Sequence, residues 1–190
     1  MEVPHARPTS NSRRPRRTDA QVTAEPVPLH ELHIVTVSVA DAVQWIGGWL
    51  TDRALAGWEV SVFAPESVDP TTLRILGASH RPLSEIAFTT DVDRIQPVVS
   101  VDAAIACAEP DLWDELCRRY APQASRILFW GQLPDVAVDA DIVPTDYRMS
   151  SAANAFKMHA LWSLGLVGPP AITERFYRLS VPGRRAAQPA

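Results

Sequence analysis

The chain has 190 residues, of which 46% are hydrophobic, and a formal net charge of −4 at pH 7. A chain of this size can bury one substantial core, and its acidic balance argues against nucleic acid or an anionic membrane as the main partner. No apolar run approaches the ~20 residues of a membrane span. No apolar stretch follows the arginine cluster at residues 13–17, as it would in a secretory signal peptide.

We therefore expect a cytoplasmic protein. Of the 18 Lys and Arg residues only Lys157 is a lysine, a bias typical of a GC-rich bacterial genome. Residues 1–29 are rich in proline and polar residues and lack apolar periodicity, so we expect them to be disordered, and the same holds for residues 181–190. Residues 30–180 between them predict one folded domain. The arginine cluster could touch nucleic acid or a membrane surface, but a solubilising tail is the simpler interpretation.

The most regular stretch is residues 32–64. A β-branched run at residues 32–39 predicts a strand buried on both faces. Apolar residues at helical spacing follow, and Gly57 stands where the helix would end. Residues 58–63 then predict a second strand. A strand–helix–strand unit of this length crosses over right-handedly, so its two strands lie parallel in one sheet.

Further elements follow along the chain. Asp69 and Pro70 predict the N-cap and first turn of a helix. Residues 79–100 are ambiguous, with a short strand at 86–89 as one interpretation. Further predictions are strands at 101–108, 126–130 and 136–143, and helices opening at Glu109 and spanning 150–164. This alternation predicts a Rossmann-like three-layer α/β sandwich with a mostly parallel sheet.

Ligands in open parallel sheets bind outside the carboxyl ends of the strands, so we looked there for polar side chains. Ser38 could act as a nucleophile, although no neighbouring base is assignable. Asp41 is equally compatible with a helix cap, and Glu66 with a solvated loop. The polar stretch at residues 145–148, placed in a loop with Gln132 nearby, could line a pocket. The candidate ligand-binding residues are Ser38, Asp41, Glu66, His80, Gln132 and Arg148.

Several familiar cofactor and catalytic motifs are missing. No glycine follows the first strand, and a carboxylate at the following helix start would repel phosphate. The chain lacks a Walker-type loop and a G-x-S-x-G nucleophile elbow. Its five histidines do not fall at a metal-ligand spacing. We therefore predict no metal site and no identifiable cofactor, and we interpret Cys107 and Cys117 as small buried hydrophobic residues.

A glycine pair, Gly47-Gly48, falls in the middle of the first helix. Glycine there costs about 1 kcal/mol relative to alanine, so we expect a close packing contact to explain it. Trp45 and Trp49 lie beside this pair. They predict either intramolecular packing or an aromatic face for a partner, including a second copy of the chain.

The opening unit resembles Rossmann-type domains, among them sugar-transferring and deacetylating enzymes that begin with a strand, a helix, a glycine pair and a hydrophobic second strand. In the deacetylating type an acidic-histidine metal motif follows the first strand. This chain has Ala40-Asp41-Ala42-Val43 at that place. The resemblance covers about thirty residues and implies a fold rather than an activity.

Two functional hypotheses remain. The main one is a non-catalytic module that binds a small molecule or a protein partner, because the α/β pattern is intact while the diagnostic loops are absent. The alternative is an enzyme of unrecognised type, a transferase or hydrolase, with its site at the carboxyl ends of the parallel strands. A nucleic-acid-binding protein is disfavoured by the acidic domain.

Overall fold

The computed structural model describes residues 30–65, 69–86, 96–133, 142–167 and 171–179. The two terminal segments predicted to be disordered lie outside these residues. So do Glu66 and most of the strands predicted at 86–89 and 136–143. Within the described part of the chain, no helix is long and apolar enough to cross a membrane.

The strands of the described residues form one sheet, and the prediction of an α/β fold with a mostly parallel sheet is confirmed. The strands are β1 (Glu31–Val35), β2 (Glu59–Ala64), β3 (Ser79–Pro82), β4 (Val98–Asp102), β5 (Ile127–Trp130), β6 (Ile142–Arg148) and β7 (Thr173–Leu179). Their order is β3-β2-β1-β4-β5-β7-β6. The first five are mutually parallel, and β7 is antiparallel to both of its neighbours.

Helices cover both faces of the sheet. They are α1 (Val39–Leu55), α2 (Pro70–Ile75), α3 (Ile105–Ala108), α4 (Pro110–Tyr120) and α5 (Ser151–Ser163). Side chains of α1, α2 and α5 pack with Leu32 and Ile34 of β1 in one hydrophobic cluster. Val35, on the opposite face of the same strand, packs in a second cluster with Leu116 of α4. Successive strand residues point to opposite faces, which is why the core is split in two.

The first helix follows its sequence signals closely. Ser38 is the N-cap, and its hydroxyl accepts a hydrogen bond from the main-chain N–H of Asp41. Asp41 therefore lies in the first turn rather than at the cap itself. Arg53 lies in the last turn, where it favours the negative end of the helix dipole. Gly57 ends the helix at φ +85°, a conformation that glycine adopts without strain.

Three local predictions need correction. The buried strand predicted at residues 101–108 stops at Asp102, because the Asp102 carboxyl group accepts the N–H of Ala104 and turns the chain into α3. Cys107 consequently lies exposed on that short helix and is not a buried hydrophobic residue. Cys117 is half-buried on α4, and burial raises the pKa of its thiol to about 11.

The remaining differences concern strands. His80 lies in β3, and residues 145–148 lie in β6, although loops were predicted at both places. The strand β7 was not predicted, because its charged and apolar residues alternate in a stretch that resembles a polar tail. In the structure Glu174 and Phe176 of this strand point into the core.

Candidate active site at the carboxyl ends of the strands

A buried polar cluster joins the ends of β1 and β4. Thr36, directly after β1, is fully buried, and Asp102 at the end of β4 is 4% exposed. The Thr36 hydroxyl oxygen lies 2.9 Å from Asp102 Oδ2. The main-chain N–H of Ala104 donates to Asp102 Oδ1 at 2.9 Å. The cluster fixes the carboxyl group of Asp102 where ligands bind in open parallel sheets.

The hydroxyl group of Thr36 links the end of β1 to Asp102. Its oxygen lies 2.8 Å from the carbonyl oxygen of Ser38, and the N–H of Ser38 donates to it at 3.1 Å. The single hydroxyl proton of Thr36 therefore faces two acceptors, the carbonyl oxygen of Ser38 and the carboxyl group of Asp102. This competition for one proton favours the protonated form of Asp102, which can donate to Thr36 instead.

The electrostatic surroundings of Asp102 also favour the protonated form. Burial raises the pKa of Asp102 above its ordinary value, against the hydrogen bonds from Ala104, Thr36 and Val37. The negative charge of Asp41, in the first turn of α1, raises it further. Two carboxyl groups thus lie near each other at the strand ends, and the pKa of one of them is raised. Two carboxyl groups with different pKa values can divide the proton-donating and proton-accepting roles of a reaction between them.

An open crevice adjoins this cluster on the carboxyl side of β5. Because β7 runs antiparallel to β5 and Phe176 pairs with Trp130, the first residues of β7 extend past the end of β5. The space between them has a volume of about 690 Å³, within the range of small-molecule sites. Its lining consists of Trp45, Gly131, Gln132, Leu133, Asp146, Thr173, Arg175 and Tyr177.

Gly131 connects the crevice to the buried acid. It lines the crevice, and a Cβ atom placed on it would lie 3.2 Å from Asp102 Oδ1. Its φ of +88° also favours glycine. Within the crevice Arg175 binds Asp146 through two hydrogen bonds, at 2.9 Å and 3.3 Å. This pairing lowers the pKa of Asp146 below its ordinary value.

The structure brings some of the predicted site residues together. Ser38 and Asp41 lie beside the Thr36–Asp102 cluster, and Gln132 lines the crevice. Trp45, predicted as part of a partner face, is 43% exposed and lines the crevice. Trp49 is 5% exposed and packs against Phe176, so it cannot present a partner face, and that part of the prediction is corrected.

Other predicted residues lie apart from the crevice. His80 is on β3, four strands from β5 along the sheet order, and its Nε2 is buried without a hydrogen-bond partner among the described atoms. Arg148 ends β6 at the same edge of the sheet as the crevice but is not part of its lining. Glu66 lies outside the described residues. Thr36 and Asp102 were missed, although Asp102 directly follows an apolar strand.

The described residues at this edge do not include a group that could hold a metal ion. Within the described ranges, no group of three or more His, Cys, Asp or Glu side chains is placed to do so. Ser38 and Asp41 follow β1, where the deacetylating enzymes of the resemblance carry an acidic-histidine motif.

Comparison with known proteins identifies the fold. No family and no curated protein matches the chain in sequence. The chain is similar in structure to the pseudoaglycone deacetylase of an antimicrobial reagent, with 18% identity, a TM-score of 0.50, and coverage of 81% of this chain and 98% of that one. It is also similar to a deacetylase of the teicoplanin biosynthesis pathway in complex with teicoplanin, with 13% identity, a TM-score of 0.50, and coverage of 78% and 97%.

These similarities show a shared fold, and they correct the main functional hypothesis drawn from the sequence. That hypothesis was a non-catalytic module that binds a small molecule or a protein. The two solved structures compared above are both deacetylases, so the comparison favours the alternative, an enzyme with its site at the carboxyl ends of the strands.

Proposed function

We propose that the protein is a hydrolase that acts on a small polar substrate at the carboxyl ends of β1, β4 and β5. The observation that carries the proposal is the buried carboxyl group of Asp102 at the end of β4, which competes with the Ser38 carbonyl oxygen for the single proton of the Thr36 hydroxyl group, so that its own protonated form is favoured. A carboxylic acid that keeps its proton can protonate a leaving group at neutral pH. The two deacetylases of similar fold support a hydrolytic reaction by analogy.

In this proposal the two carboxyl groups have complementary roles. Asp102 gives its proton to the leaving group of the substrate, while Asp41 takes a proton from the attacking water molecule. Water adds its hydroxyl group to the acyl carbon, the bond to the leaving group breaks, and a carboxylic acid and the protonated leaving group are released. The proton left on Asp41 then passes through solvent to Asp102, which restores both carboxyl groups for the next cycle. These roles are assigned to side chains because no group of three or more His, Cys, Asp or Glu residues among those described is placed to hold a metal ion.

The crevice supplies the substrate-binding surface. Trp45 and Tyr177 offer aromatic faces, and Gln132 and Thr173 offer hydrogen-bonding groups. An aromatic wall with a few polar groups suits a compact molecule that carries both C–H faces and hydroxyl groups, such as a sugar derivative. Trp45 therefore serves the substrate in this proposal, rather than a second copy of the chain.

The test is the release of acetate from a panel of N-acetyl and O-acetyl sugars by the full-length protein. We expect Asp102→Asn to lower the rate by about 100-fold or more, because asparagine cannot give up a proton. Asp114→Asn is the matched control, since Asp114 is exposed on α4 and is not part of the crevice lining. A metal chelator should leave the rate unchanged.

Two results would contradict the proposal. One is a rate for Asp102→Asn equal to that of the wild-type protein, which would remove Asp102 from the chemistry. The other is the absence of acetate release from every sugar of the panel. We also propose a cytoplasmic location for this activity, because both cysteines are free thiols, as is usual in a reducing compartment.

A further inference from the structure

A second cavity opens between α1, α5 and the start of β7. Its volume is about 390 Å³, large enough for a small molecule. We call it the α5 cavity. Its apolar walls are formed by Trp45, Leu161, Leu166 and Val167. It shares Trp45, Thr173 and Arg175 with the crevice, but its remaining lining is different.

Lys157 is the buried cation in the polar lining of this cavity, which also includes Gln44, Thr173, Glu174 and Arg175. The residue is 1% exposed, and its Nζ lies 2.6 Å from Glu174 Oε1. An ammonium group has three N–H donors, and Glu174 is the one hydrogen-bond partner of Lys157 among the described residues. Two donors of this buried ammonium group are thus without an acceptor in the described part of the chain. Buried donors in folded proteins are normally satisfied by an acceptor.

The carboxylate of Glu174, by contrast, has hydrogen-bond donors at both of its oxygens. Its Oε1 accepts the main-chain N–H of Gly48 at 2.8 Å as well as the ammonium group, and its Oε2 accepts the N–H of Trp49 at 2.7 Å. The ion pair is also balanced in charge, and so is Arg175, the other cation of the described lining, because it binds Asp146 through two hydrogen bonds. An anionic ligand would therefore lie near Glu174 while both of these cations are already paired. A cationic ligand would place its own N–H donors against those of Lys157. An uncharged oxygen acceptor avoids both costs.

We infer that the α5 cavity binds an uncharged, largely apolar molecule that presents one oxygen acceptor to Lys157 Nζ. The apolar body of the ligand lies against Leu161 and Leu166. Medium-chain alcohols and amides belong to this class. The inference does not depend on the proposed hydrolase activity, because neither Asp102 nor Asp41 lines this cavity.

The sequence provides a direct probe, because Lys157 is the one lysine of the full chain. Protein labelled with ¹⁵N-lysine therefore gives a single side-chain ammonium signal in an NMR spectrum. We expect this signal to shift saturably when hexanamide or hexanol is added. Hexylamine and hexanoate have the same alkyl chain but a charged head group, and we expect them to bind at least about tenfold more weakly.

Two variants locate the binding site. Leu166→Asp places a charge on the wall of the α5 cavity at a partly exposed position, and should weaken hexanamide binding by about tenfold or more. Val143→Asp is the matched control, because Val143 is exposed on β6 and lines neither described cavity. It should bind hexanamide as the wild-type protein does.

The inference is overturned if no probe shifts the lysine signal in the wild-type protein. It is equally overturned if hexylamine binds as tightly as hexanol, since Lys157 would then not contact the head group. Unchanged hexanamide binding in Leu166→Asp would also overturn it. The readout is independent of catalysis, so these results are distinguishable from a failure of the hydrolase proposal.

Discussion

The main-chain N–H of Gly48, in the middle of α1, donates to Glu174 Oε1 of β7 across 2.8 Å. The next N–H, that of Trp49, donates to the other oxygen of the same carboxylate. Donors at mid-helix positions ordinarily serve carbonyl groups four residues earlier. Lys157 of α5 completes the cluster. One buried side chain of β7 therefore ties α1, which is far away in sequence, to α5 and β7.

The effects of Glu174 and Lys157 on the free energy of unfolding should be strongly coupled, because the two residues form a buried ion pair. Burial raises the pKa of Glu174, while Lys157 and the two N–H groups oppose that shift. Glu174→Gln leaves the ammonium group buried without an opposite charge, and should lower the free energy of unfolding by about 3–5 kcal/mol. Adding Lys157→Met should recover part of this loss, because glutamine still accepts a helix N–H. Urea unfolding of the single and double variants measures the coupling, and strictly additive losses would contradict it.

The glycine pair of α1 offers a matched test of packing. A Cβ atom on Gly48 would lie 2.6 Å from Met149 Sδ and 3.0 Å from Glu174 Oε1, whereas one on Gly47 would lie 3.4 Å from the nearest Lys157 atom. We expect Gly48→Ala to destabilise the protein by about 1–3 kcal/mol through overpacking. Gly47→Ala should be neutral or stabilising by up to about 1 kcal/mol, because alanine favours helix. Thermal unfolding compares the two, and the reverse order would be inconsistent with the packing described.

The raised pKa of Asp102 predicts a dependence of stability on pH. Its pKa in the folded protein is raised by burial above the ordinary value of about 3.9. Between those two pKa values the folded state binds more protons than the unfolded state, so stability falls as the pH rises through this window. Asp102→Asn keeps a donor for Thr36 and an acceptor for Ala104 and should lack this component. The difference in unfolding free energy between the two proteins, measured from pH 4 to pH 8, checks this. A difference that does not change with pH would show that folding does not raise the pKa of Asp102.

The lowered pKa of Asp52 predicts that stability depends on pH in the opposite direction. Burial alone would raise its pKa, but hydrogen bonds from Ser150 and Tyr147 lower it below the ordinary value. The same contact and burial raise the pKa of Tyr147 to about 12. The stabilisation by Asp52 should be complete above about pH 5 and disappear as the pH falls through its folded pKa, below about 3.9. Asp52→Asn should therefore be less stable than the wild-type protein at neutral pH, with a smaller difference in acid. Unfolding at both pH values tests this, and an equal difference would refute it.

The sequence by itself determined the local elements. The apolar spacing of α1 and the terminal Gly57 predict the structure that forms. The strand predicted at residues 32–39 is present but ends at Val35, because Ser38 caps a helix that begins at Val39. Asp69 caps α2 with Pro70 in its first turn, as its position suggested. These features depend on residues close to one another in the chain. Periodicity and capping involve residues only a few positions apart, so they can be recognised without a tertiary structure.

The tertiary structure alone decided where β7 lies and which polar groups meet. Asp102 reaches Thr36 across 66 residues, and Glu174 reaches Gly48 across 126. No local pattern encodes such pairs, because strand order follows from how the faces of all elements pack together. In the sequence, a buried charged residue of a strand looks the same as a solvent-exposed one, because its partner is not visible there. For that reason the buried acid and the lysine of the α5 cavity emerged only from the folded chain.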